Sequence, residues 1–267
     1  MAAPARWAAA LLAAALLSTA ATGCTGSAPR PDQQPSSASP SPSTAQPSPT
    51  DRSPHGVLLS AQLVLHDARR AEFRAVLGDD RGKGALFWAP KTVLKYQPDS
   101  DSRQLMVLDT SAYLGGDPAT ALRLGGPHWQ KFSGGRIPYS ALIDRLNPVV
   151  AVAAAAAVRE PELIGEEKLI DTTVEHYRVT LTAGQYAAAQ TQLDQQRRQA
   201  LETALGPGDV VLDLWLNDRD QLVQLRRAAA EVDTVTYSEF GSSSLSVQAP
   251  AEADTAEGGD ASPPAFP

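Results

Sequence analysis

The chain alternates between stretches of two-residue and roughly four-residue apolar spacing, and these are framed by ends with no such pattern. Residues 57–67 place Val57, Leu58, Ala61 and Leu65 at helical spacing, although Leu63-Val64-Leu65 is equally able to begin a strand. Residues 72–77 alternate, with Phe73, Ala75 and Leu77 on one side, and stop at the Gly78-Asp79-Asp80 turn signal. Residues 85–88, 92–96 and 104–110 predict further short strands, the last two joined through Pro98-Asp99-Ser100-Asp101. Tyr113-Leu114 runs into Gly115-Gly116, and residues 127–132 follow another Gly-Gly break as a strand. The spacing predicts an antiparallel meander for this half.

At Pro138 the period changes. Residues 140–146 form a short helix closed by Asn147-Pro148, and residues 149–158 are apolar throughout with five consecutive alanines. A helix without a polar face must be covered. It either packs closely on the sheet as plain core, or its small side chains leave room for an apolar ligand. Residues 173–181 then alternate, with Glu175, Tyr177, Val179 and Leu181 opposite Val174, His176, Arg178 and Thr180. Residues 185–205 read as one amphipathic helix ending at Gly206-Pro207-Gly208. Residues 210–216 direct Val210, Leu212, Leu214 and Leu216 inward and Val211, Asp213 and Trp215 away. A polar turn at 217–220 leads to strands at 221–227 and 232–240.

The two ends supply the cellular context. Arg6 is the only charged side chain before Cys24, residues 7–17 are an unbroken apolar run, and small residues lead to Gly23-Cys24. This is the plan of a signal peptide, and the run is shorter than the roughly 20 residues a membrane span needs. The single cysteine after Ala-Thr-Gly resembles the lipobox of bacterial lipoproteins, although Ala21 stands where that family usually has Leu. The resemblance implies cleavage between Gly23 and Cys24 and an acylated, palmitate-bearing Cys24 at the outer face of the cell membrane. Residues 24–54 are rich in Pro, Ser, Thr and Gln and predict a disordered tether. It would reach roughly 30 Å as a coil and about 90 Å as extended polyproline. Residues 55–249 are the expected folded domain and 250–267 a disordered acidic tail.

Formal net charge is −7, and losing the signal removes only Arg6. That balance argues against nucleic acid, which requires a basic footprint. It also provides no polybasic patch for anionic lipid heads, so the acyl anchor must hold the chain to the membrane. His55, His66, His128 and His176 are far apart, with no pair at metal-ligand spacing. Leu108-Asp109-Thr110-Ser111 resembles half of an aspartic-protease motif without its second aspartate. No nucleophile elbow or phosphate loop is present. Arg69, Arg70 and Arg74, and likewise Glu166-Glu167, read as solvated faces. No enzyme, cofactor or metal is expected.

The order of the segments 126–131 (GPHWQK), 165–177 (GEEKLIDTTVEHY), 212–218 (LDLWLND) and 236–240 (TYSEF), with Pro250 after them, resembles the LppX/LprAFG lipoproteins of actinobacteria. Asp171 and the long helix at 185–205 depart from that family. The resemblance implies an α+β fold, a curved antiparallel β-sheet (a LolA-like half-barrel) with helices packed on its concave face. It also implies that an acyl lipid or glycolipid is held between sheet and helices and carried outward, without catalysis. Alternation places Leu142, Leu146, Val150 and Ala154 on the helical side of such a cavity, and Tyr177, Val179, Leu212 and Leu214 on the sheet side. The alternative is an envelope sensor or interaction lipoprotein with a filled core and a protein partner. A monomer is expected in either case.

Overall fold

The computed structural model describes residues 51–134, 136–169 and 171–258, together with Pro264 and Phe266. The signal peptide, the Gly23–Cys24 junction and residues 24–50 of the tether lie outside the described residues. Helix α1 (Pro54–Ala68) opens the domain, with Ser53 as N-cap accepting from the Gly56 amide and Pro54 in the first turn. It resolves the sequence ambiguity at 63–65 in favour of helix. Six strands follow: β1 (Arg70–Leu77), β2 (Asp80–Phe87), β3 (Val93–Pro98), β4 (Gln104–Leu108), β5 (Ser111–Gly115) and β6 (Trp129–Ser133). Between β5 and β6 lies α2 (Pro118–Leu124), capped by Asp117. Asp117-Pro118 carries its start signal, although too few apolar positions follow to give it a readable period.

Helices α3 (Ser140–Leu146) and α4 (Pro148–Ala156) meet at Asn147, which ends the first and caps the second by accepting from the Val149 amide. The chain then returns to the sheet as β7 (Glu162–Leu169) and β8 (Thr172–Thr182). Strand β7 is an exposed edge with no apolar alternation, so no two-residue period marks it. The single helix expected at 185–205 is two, α5 (Ala183–Ala188) and α6 (Gln195–Leu205). Thr182 and Gln185 form a capping box at the first, and Asp194 caps the second by accepting from the Arg197 amide. Between them, the buried Gln190 amide nitrogen donates to Val150 O at 2.8 Å and to Tyr186 O at 3.1 Å. Both pieces thereby turn back onto the core. Strands β9 (Asp209–Leu216), β10 (Leu222–Ala228) and β11 (Val232–Ser238) complete the second meander.

Among the described residues the strands, with β12 (Thr255–Glu257) at one edge, join one open sheet in the order β12-β6-β5-β4-β3-β2-β1-β11-β10-β9-β8-β7. The pairing of β1 with β11, Phe73 opposite Tyr237 and Ala75 opposite Val235, unites the two meanders. The expected α+β architecture, a curved and predominantly antiparallel sheet with helices on one face, is therefore found. Inward residues of the strands and the apolar residues of α1, α4, α5 and α6 form one continuous core. Helix α1 packs on α4, whose alanines allow the close approach.

The tail departs from expectation. Residues Glu252–Asp254 form a short 3₁₀ turn, and β12 (Thr255–Glu257) adds to β6 in parallel. Its composition alone suggested disorder; the register with β6 supplies what composition does not show.

Candidate functional site

The eight residues expected to face a lipid are brought together by the fold. Leu146, Val150, Ala154, Tyr177, Val179, Leu212 and Leu214 are all buried in the one core, and Leu142 packs half-buried against it. The two faces close on each other: these side chains fill the interface between sheet and helices, and none of them lines the crevice described next. The Tyr177 hydroxyl donates to Glu175 at 2.7 Å, and the Tyr237 hydroxyl donates to Leu146 O at 2.8 Å. Burial raises both phenols well above the ordinary tyrosine range.

Open space lies at one end of this interface. A crevice of about 330 Å³ is bounded by α3, α6 and the turn from β10 to β11. Its apolar lining is Ala141, Ala200, Leu201, Ala204, Leu205, Ala229 and Ala230, five alanines and two leucines from three separate segments. Its polar groups are paired across those segments. Asp144 on α3 accepts two bonds from Arg197 on α6, at 2.8 and 3.0 Å. Arg145 reaches Asp233 at 2.6 Å and Glu231 at 2.9 Å. Arg227, almost fully buried, is held by Asp233 and donates to the Tyr186 hydroxyl at 3.3 Å. Burial pushes the Asp144 carboxyl above the ordinary aspartate range against the opposing pull of Arg197. Among the described residues the buried Arg197 Nε has no acceptor.

A site of this kind can hold an amphiphile. The alanine and leucine lining accepts an apolar chain, while the guanidinium groups offer donors to its polar end. At about 30 Å³ per water-sized group, the space takes on the order of ten methylene groups. Among the described residues no cluster of three or more His, Cys, Asp or Glu side chains is arranged to hold a metal ion.

A second polar assembly lies on the opposite, outward face of the sheet. His176 and Asp213 are only 5% and 2% exposed, although alternation directs them away from the core. His176 Nδ1 lies 2.7 Å from Glu167 and Nε2 lies 3.0 Å from Asp213. Arg178 and Arg226 donate to Asp213 at 2.7 and 3.2 Å, and Trp215 Nε1 donates to Glu167 at 2.9 Å. His176 stacks on Trp215 with centroids 4.4 Å apart. Sequence reasoning assigned the correct side to His176 and Asp213 but not their burial; Glu167 is exposed, as read, but its bonds to His176 and Trp215 were not foreseen. The missing information is register: His176 sits directly opposite Trp215, and Arg178 and Arg226 both sit opposite Asp213. The assembly is closed on itself. Its hydrogen bonds hold Glu167 below its ordinary range, and for Asp213 the partners outweigh the burial that would raise it. The other histidines are scattered, with His55 on Ala156 O at 3.1 Å, His128 on Asp254 at 2.7 Å and His66 exposed.

No protein-family model and no curated protein matches the chain. Among solved structures it is similar to LprF from Mycobacterium bovis, with 13% identity and a TM-score of 0.49 over 74% of this chain and 96% of that one. It is also similar to the Mycobacterium tuberculosis lipoprotein LppX, with 11% identity and a TM-score of 0.47 over 71% of this chain and 97% of that one.

Proposed function

We propose that this chain is a non-catalytic lipoprotein of the cell envelope that carries a single-chain amphiphile in the crevice between α3, α6 and the β10–β11 turn. The observation that carries this reading is the crevice itself, an alanine- and leucine-lined space next to the filled core, with arginines at its polar side. In this reading acylated Cys24 anchors the protein at the outer face of the membrane, and residues 25–54 are the tether that lets the domain reach away from it. Among the described residues no helix is long and apolar enough to cross a membrane. The crevice volume favours one acyl chain over the two or three of a larger lipid.

A second reading, an envelope sensor or interaction lipoprotein without cargo, is favoured by one specific observation. Leu146, Val150, Ala154, Leu212 and Leu214 are each at most 1% exposed and lie outside the lining of the crevice. Native mass spectrometry and solvent extraction of the purified protein separate the two. The carrier reading expects an acyl compound bound in stoichiometric amount, lost when the exposed Ala204 is replaced by Trp to fill the crevice. Protein that stays ligand-free after incubation with envelope lipids of its source sinks the carrier reading and leaves the second.

A further inference from the structure

The C-terminal segment is attached to the domain at three separated points, each of the kind by which one protein recognises an extended peptide. At the first, Asp254 accepts from the His128 amide at 2.9 Å and meets the His128 ring at 2.7 Å. At the second, Thr255, Ala256 and Glu257 pair in parallel with Trp129, Gln130 and Lys131, and Lys131 Nζ meets Glu257 at 3.0 Å. Gly258 continues this contact by donating to Lys131 O at 2.6 Å. A Cβ there would lie 2.7 Å from that oxygen and 2.8 Å from the Phe132 ring. At the third, the Tyr139 hydroxyl donates to Pro264 O at 2.8 Å. Phe266 meets Tyr96 and Tyr139 edge-on at 6.1 and 6.3 Å, with the Arg103 guanidinium 5.7 Å from its centroid. Two edge-on rings and a cation make a socket suited to an aromatic group.

We propose that the β6 edge and the Tyr96–Tyr139–Arg103 socket together form a peptide-docking site, and that the chain's own residues 254–258, with Pro264 and Phe266, occupy it in cis. Without that segment β6 would be a bare edge of the sheet, with unpaired backbone groups open to another strand. The partner that fits is an extended segment with an acidic residue opposite Lys131 and an aromatic residue further along. It gains access when the cis segment lifts away. Linked to its site, the segment acts at an effective concentration on the order of millimolar. A sequence that binds in trans at about 100 µM would therefore be docked ~90% of the time in cis and would weaken a competitor about tenfold.

The test uses the full chain and a labelled peptide of residues 250–267, titrated by fluorescence anisotropy. The full chain carrying Gly258→Val and Phe266→Ala in its own tail should bind the unaltered peptide about tenfold more tightly than the unmodified chain does. A peptide bearing the same two changes should bind neither. If the doubly substituted chain does not fold, Phe266→Ala alone takes its place, and excess free peptide should speed amide exchange at 255–258 of the unmodified chain. Concentration-dependent dimers would place a second copy's tail on the same edge and keep the docking site. Peptide that binds neither chain, or both equally, overturns the proposal.

Discussion

Ala154→Phe separates a filled interface from a lipid-sized void by the sign of one measurement. Ala154 is fully buried in α4, one turn after Val150, in a core that also contains Leu58 and Ala61 of the adjoining α1. A phenyl ring placed there has no neighbouring space to enter, so α4 must move off α1 or the sheet. Overpacking of this kind costs about 1–3 kcal/mol, occasionally more. For a domain of this size each kcal/mol lowers Tm by about 2–4 °C, giving an expected fall of roughly 2–12 °C. A void beside Ala154 would reverse the sign. Burying about 150–250 Å² of ring at about 25 cal/mol per Å² is worth roughly 4–6 kcal/mol in gross terms. Thermal unfolding followed by far-ultraviolet circular dichroism reads the difference. Ala204→Trp in the open crevice is the control: its ring enters existing space, so Tm should stay unchanged or rise. An Ala154→Phe protein with unchanged or raised Tm would refute the filled interface.

Three other perturbations probe the polar groups. Asp233→Ala leaves the buried Arg227 without its carboxylate partner and should destabilise by about 3–5 kcal/mol in urea unfolding, the cost of a stranded buried charge. Gln190→Ala removes the side chain that joins α4 to α5 and should cost about 1–3 kcal/mol, with Tm as the readout. The carboxyls of Asp213 and Glu167 are lowered in the folded state, so their contribution is fully present above their unfolded values of about 4. It is lost as pH falls through the lower folded values, and Trp215 fluorescence should report the loss. Asp213→Asn should flatten the stability profile below about pH 4, and an unchanged slope there would disconnect the outward assembly from acid unfolding.

What the sequence conveyed and what it withheld divide along a physical line. Two-residue alternation reports the direction of a side chain, and at 73–77 and 210–216 the inward set is the one that alternation indicates. Asn147-Pro148 marked a boundary because proline cannot continue a helix, and the same pair begins the next one. Direction carries no volume, however. Leu146, Val150, Tyr177 and Leu212 all point into the one core, yet whether such side chains touch or stand apart depends on how closely α4 approaches the sheet, which no single strand encodes. The outward His176 assembly and the β12 pairing depend in the same way on register between distant segments. The alanines of 151–157 and those around the crevice show most clearly why composition misleads. In α4 the small side chains let α1 and the sheet close in, so they remove space. At Ala141, Ala200, Ala204 and Ala230 no further element among the described residues covers the same kind of side chain, so space remains. A small residue opens a cavity only where the fold leaves its neighbour missing, and the alanine-rich helix is where this fold supplies neighbours on both sides.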